Sequence, residues 1–163
     1  MMLRTHLAIN LLAILLFFNQ VSHKFSFVLV VLVATIIPDI DSGFSNIGKF
    51  YGSRVIQFFS KHRGVFHSFT FCISVSLVFA FFVPIIALPF FLGYSLHLFE
   101  DSLTIQGIRP FWPYKKSLSG DLRTGSLTET SIFVSFALID FIVFLILIKS
   151  VFKMFIIFLH ASI

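Results

Sequence analysis

Charge is what this chain has least of. Asp, Glu, Lys and Arg make up only 12% of its 163 residues, about half the share in an ordinary soluble domain. So few charges cannot cover a water-facing surface of this size, which excludes a soluble globular enzyme. A disordered chain is excluded with it, because disorder needs low hydrophobicity. The single cysteine, Cys72, rules out an internal disulfide and hence a disulfide-stapled secreted module. Lying inside an apolar run, it is expected to be a small buried hydrophobe. A small-residue cleavage site is also missing behind the apolar N-terminus. Arg4 could serve as the charge of a signal peptide, but Phe18 is followed by Asn19, Gln20 and Val21. The segment is therefore expected to be retained as a membrane helix.

What the chain has in abundance is hydrocarbon. Hydrophobic residues supply 58% of positions, Phe alone 25 of them, and the mean hydropathy is +1.01. The expectation is one integral membrane domain over residues 1–163. Five apolar stretches stand out: Leu7–Phe18, Phe25–Ile37, Phe69–Val83, Ile85–Phe99 and Ile132–Ile148. None carries a polar stripe at helical spacing, so each reads as a helix apolar all round. Runs of this length reach only about 20–25 Å against a hydrocarbon core of about 30 Å, so the helices should extend past them at one end. The expected fold is all-α: a multi-pass transmembrane bundle of about five short helices with a metal site at one end. Pro84 to Pro89 leaves one choice open, a tight hairpin between the third and fourth runs or a kink in one long helix. Ser126 and Glu129 have the spacing of a capping box that starts the fifth helix.

The residues able to bind metal are not scattered. His6 precedes the first run, Asp39 and Asp41 follow the second, His62 and His67 precede the third, and His97 and Asp101 close the fourth. In an up-down-up-down bundle these positions share one face, so seven N and O donors from four segments converge. His97 and Asp101 are four apart and project from one side of a helix. Imidazoles with carboxylates suit a divalent cation, zinc first, with manganese or iron as alternatives. Seven donors exceed the set that one catalytic zinc uses, which points to two or three metals. If Phe69–Leu96 were one kinked span instead, His67 and His97 would fall on opposite sides and the site would not form.

The same residues resemble a known family. Thr5-His6, Pro38-Asp39-Ile40-Asp41, His62-Arg63-Gly64-Val65-Phe66-His67-Ser68 and Gly93-Tyr94 through His97-Leu98-Phe99-Glu100-Asp101 occur in order. Thr104, Gly107, Phe111-Trp112-Pro113 and Thr124-Gly125-Ser126-Leu127-Thr128-Glu129 follow. The set is similar to the YdjM-like, LexA-regulated group of membrane-bound, predicted metal-dependent hydrolases, and the likeness runs from about residue 5 to residue 148. More distantly it resembles zinc-dependent phospholipase C and single-strand nucleases. The resemblance implies phosphoester hydrolysis, with His6, Asp39, Asp41, His67, His97 and Asp101 as metal ligands and His62 as a ligand or a neighbour of one. Phe66 departs from the small hydroxyl residue that the family tends to place before its second His.

Around that core, Asp39, Asp41 or His62 are candidates for acid–base duty and Arg63 for contact with an anionic substrate. Arg109, Lys115, Lys116 and Arg123 are expected near the cavity mouth, with Lys115 and Lys116 equally readable as ordinary cytoplasmic-side charges. His23 and His160 read as interfacial polar residues, Trp112 and Tyr114 as an interfacial anchor, and Glu129 as a cap. Asp140, in mid-run of the fifth helix, is a functional candidate by its depth, with Ser74 or Ser76 as possible bonding partners. Nine of the twelve Lys and Arg fall on the site face, which places that face in the cytoplasm and the protein in the cell (inner) membrane. The expected partners are membrane lipids and an anionic phosphoester substrate, not nucleic acid. The rival readings are a metal-ion or proton-coupled transporter and a non-catalytic membrane protein with a structural metal site.

Overall fold

The computed structural model describes residues 1–41 and 65–161, with side chains described for 1–39 and 65–153. Five α-helices account for most of it: α1 (Leu3–Phe17), α2 (Lys24–Ile36), α3 (Phe69–Phe82), α4 (Pro84–Ser102) and α5 (Leu127–Ala161). Among the described residues there is no strand. Two isolated bridges, Thr104 with Leu122 and Ile108 with Leu118, pin the segment between α4 and α5.

Proline and hydroxyl chemistry set the breaks. Proline has no N–H to continue the helical ladder, and α2 gives way before Pro38 to a short 3-10 helix, Ile37–Asp41, with Ile37 itself still in the α region. Ser68 caps α3, its hydroxyl accepting from the Phe71 amide at 3.2 Å. Further amides at that end, Phe69 and Thr70, donate to the Pro110 carbonyl at 2.8 and 3.4 Å. The connecting segment thereby ties down the residues preceding α3. It turns at Gly107, whose φ of +60° a side chain would resist.

At the other end of α3, Val83 leaves helical geometry (φ −143°, ψ 70°) and Pro84 opens α4 at its first position, where its missing N–H costs nothing. The turn is a single residue, shorter than the Pro84–Pro89 join the sequence outlined, because Pro89 is accommodated inside α4. The hairpin alternative is the one realised. His67, just before α3, and His97, near the end of α4, have ring centroids 5.8 Å apart, which one long kinked helix could not achieve.

α4 lies between α2 and α3, and α1 bridges α2 and α5. The α2–α4 approach is closest at Gly93, where an added methyl would overlap the Val31 carbonyl. The main core joins Ala34 of α2, Cys72 of α3, Phe90, Tyr94 and Leu98 of α4, and Ile108. Cys72 is fully buried in it, as its apolar neighbours foretold. A second cluster, Ile14, Phe27 and Val31, packs α1 on α2.

α5 corrects the expectation of five short helices. Its 35 residues span about 52 Å, well beyond Ile132–Ile148. Lys149 and Lys153 interrupt the apolar count but not the helix, since lysine is a good helix former. Leu127–Lys153 is, among the described residues, the one helix long and apolar enough to cross a membrane, and only 6% of its most apolar window is buried. The core helix of a soluble protein would be mostly buried. Outward-facing Leu138, Phe141 and Ile146 are all about 60% exposed, and Phe81 at the far end of α3 is 82% exposed. Hydrocarbon on this scale needs an apolar solvent.

Candidate metal centre

Four segments deliver side chains to one place. The first turn of α1 supplies His6, the 3-10 helix after α2 supplies Asp39, the cap of α3 supplies His67, and the last turns of α4 supply His97 and Asp101. His6, His67, His97 and Asp101 are each no more than about 1% exposed. The Asp39 carboxylate is the least buried of the five, at 17% exposed.

The spacing of the donors is informative. His6 Nε2 lies 3.4 Å from Asp101 Oδ1, His67 Nε2 3.6 Å from Asp101 Oδ2, and His97 Nε2 3.9 Å from both Asp39 Oδ1 and Asp101 Oδ2. An N–H···O hydrogen bond prefers 2.7–3.2 Å. Two donors about 2.05 Å from one tetrahedral ion stand about 3.4 Å apart. His6 and His97 stack with ring centroids 3.9 Å apart and 14° between planes, so both present their edges to the same space.

These residues could hold a divalent metal on two observations. Two overlapping groups, His6–Asp39–His97 and His67–His97–Asp101, each keep their donor atoms within 4.8 Å of one another, with His97 common to both. Among the described residues, the buried His6 Nε2 and both ring nitrogens of His97 have no hydrogen-bond partner, a costly state that a cation would relieve.

Glu100 is a member of the site that sequence reasoning passed over. Its Oε2 lies 2.6 Å from His6 Nδ1 in a buried contact. This fixes the ring so that Nε2 faces Asp101, the arrangement by which a carboxylate orients a metal-binding imidazole. The signal was present: Glu100 and Asp101 are three and four residues beyond His97, on the same helical face. The Met1 amine pairs with Asp101 Oδ1. Tyr94 Oη donates to the Phe66 carbonyl at 2.6 Å, which ties the His67 segment to α4. At Asp39, burial raises the carboxyl above its ordinary value while the charges of His6 and His67 oppose the shift.

Other expected residues fall elsewhere. Asp41 closes the 3-10 helix, but its side chain lies outside the described residues, as do His62 and Arg63. Arg109, Lys115, Lys116 and Arg123 are exposed. Trp112 and Tyr114 are exposed as well, at 41% and 76%.

Glu129 does more than cap. Ser126 Oγ accepts from the Glu129 amide at 3.2 Å as in a capping box, but the carboxylate takes the Gly125 amide at 2.5 Å. It also accepts from the Met2 amide at 2.6 Å and Thr5 Oγ1 at 3.3 Å, so it clamps α1 to α5 beside His6. For Asp140 the expected partners are wrong. Ser74 and Ser76 donate to the carbonyls of Thr70 and Cys72 in their own helix, and α5 packs on α1 rather than α3.

No curated protein and no solved structure matches the chain. The profile of the YdjM inner membrane protein family does match, over residues 1–162, and α5 supplies a helix able to cross a bilayer. A match over almost the full length, on a chain with this much exposed hydrocarbon, decides the matter: it is a membrane protein that belongs to the YdjM inner membrane protein family.

Proposed function

We propose that this chain is a multi-pass membrane hydrolase that holds a divalent metal, zinc in the first place, through His6, Asp39, His67, His97 and Asp101, and cleaves a phosphoester. The observation that carries the reading is the convergence of five His and Asp side chains from four segments, with buried His6 and His97 nitrogens that no described residue satisfies. A bound metal of this kind supplies Lewis acidity and lowers the pKa of water.

The chain's own residues do the rest. Glu100 holds the His6 ring in one orientation, and Tyr94 and Pro110 hold the His67 segment in place. The hydrocarbon around α4 keeps bulk water from four of the five donors. Asp39, the least buried of the five, is the carboxylate proposed to accept or return a proton. Arg63 remains the candidate for holding the anionic group, and a membrane lipid is the substrate class favoured by the setting. The charge distribution along the chain favours a cytoplasmic orientation for this end of the bundle.

A structural metal site is the second reading, favoured by the near-complete burial of four donors, since closed sites are structural and open ones catalytic. The test is metal content of the purified protein together with hydrolysis of a chromogenic phosphodiester, for wild type, His97→Ala and Asp39→Ala. Stoichiometric metal and metal-dependent hydrolysis, both lost in the variants, are expected. Metal-free wild type would sink the proposal. Metal retained with no cleavage of any phosphoester or phospholipid tested would assign the structural role. Reporter fusions after Phe50 and Ala87 should report opposite compartments.

A further inference from the structure

α1 and α5 do not close on each other along their whole length. Between them runs a groove of about 640 Å³, within the size range of small-molecule sites. Its walls are hydrocarbon, from Leu7, Leu11 and Leu15 on one side and Phe133 and Phe144 on the other. Two lining residues are polar, and they differ. Arg4, at one end, is already engaged: its guanidinium donates to Thr130 Oγ1 at 3.3 Å and lies 5.3 Å from the centre of the Phe133 ring.

Asp140 is the other. Its residue exposure is 5%, and neither carboxylate oxygen has a hydrogen-bond partner among the described residues. It stands midway along Leu127–Lys153, about 20 Å from either end, the most expensive depth for such a group. An unsatisfied carboxyl facing an apolar groove calls for a hydrogen-bond donor that arrives on an apolar body.

The dimensions narrow the choice of occupant. Eleven residues separate Arg4 from Leu15 and Phe133 from Phe144, so the groove is about 16 Å long. That is about half of the ~30 Å hydrocarbon core, the reach of a chain from one leaflet, whereas a partner helix that crosses the core would run its full depth. We propose that the α1–α5 groove is an intramembrane binding site for a single apolar chain that carries a hydroxyl group, with Asp140 accepting the hydroxyl hydrogen bond. None of its lining residues belongs to the His–Asp cluster, and the site does not depend on a metal being held there.

The test uses the full chain in phospholipid nanodiscs and two photoreactive probes, a diazirine-bearing hexadecanol and its methyl ether. They share the chain and the reactive group, and only the alcohol can donate. The expected result is labelling by the alcohol that maps to the α1 and α5 peptides and exceeds that by the ether about tenfold, the weight of one good hydrogen bond. Asp140→Leu should equalise the two probes, and Ala137→Phe, which fills the groove and leaves Asp140 in place, should abolish both. Equal labelling of wild type by the two probes overturns the proposal without recourse to any variant. So does labelling confined to other helices, or exclusion of both probes by a second copy of the chain seated on α5.

Discussion

Among the described residues, the His–Asp cluster and Asp140 both bury polar atoms that lack a hydrogen bond, His6 Nε2 and the His97 ring nitrogens in the one and a lone carboxylate in the other. They are built in opposite ways. At the α1–α4 end, three imidazoles and two carboxylates from four segments face one another at 3.4–3.9 Å. At mid-height on α5, one carboxylate faces hydrocarbon alone. A convergent group can be satisfied all at once by a cation. A solitary one is satisfied by a single donor, or by nothing. The difference teaches that buried unsatisfied atoms point to a ligand, and that the company they keep says which kind.

The strongest way to break the comparison is at His97, which belongs to both potential donor groups. His97→Ala should lower bound metal by more than 100-fold, measured by elemental analysis after dialysis against a weak chelator. Retention of metal at wild-type level would mean that the convergence is only packing. Glu100→Gln is the finer probe. It keeps the shape beside His6 Nδ1 but removes the charge, and metal affinity should fall about 10–100-fold in a competition titration. An unchanged affinity would make Glu100 a bystander.

Glu129→Ala tests the scaffold rather than the cluster. It removes the acceptor of the part-buried Met2 and Gly125 amides and strands the buried Thr5 hydroxyl, the last at a cost of about 1–3 kcal/mol. The melting temperature should drop and α1 should exchange amide hydrogens faster, which would be absent if the clamp were incidental. The smallest effect belongs to Asp140. With no partner to lose, Asp140→Leu should stabilise the protein by about 1 kcal/mol, a rise of roughly 2–4 °C for a chain of this size. Metal content should stay where it was. Destabilisation would show that Asp140 has a structural partner after all and would erase the contrast.

Much of this was legible in the residues. The five helices follow from five apolar runs, and the convergence of His6, Asp39, His67, His97 and Asp101 follows from their positions at alternate ends of those runs. The Pro84 hairpin was legible only as a choice, because a proline both tolerates and breaks membrane helices. Glu100 was overlooked because a carboxylate beside a presumed ligand looks like its spare. Only the position of α1 shows that it reaches His6 Nδ1. The serine partners proposed for Asp140 were wrong because sequence gives depth along a helix but not which helix lies alongside. The length of α5 was underestimated because hydropathy measures solvent preference, whereas the helix ends where its hydrogen-bond ladder does.

The sequence by itself determined the solvent and the inventory: with 12% charge and 58% hydrophobic residues, the chain belongs in an apolar medium, and His6, Asp39, His67, His97 and Asp101 sit where its apolar runs begin or end. Tertiary structure decided the pairings. Which face of each helix turns inward depends on contacts such as Gly93 against Val31, and those contacts bring four segments together at one end of the bundle. They also leave Asp140 alone in the groove between α1 and α5. Periodicity acts within a helix, but the partner of a buried polar atom lies on another one, so only the packed chain could tell a convergent site from a solitary one.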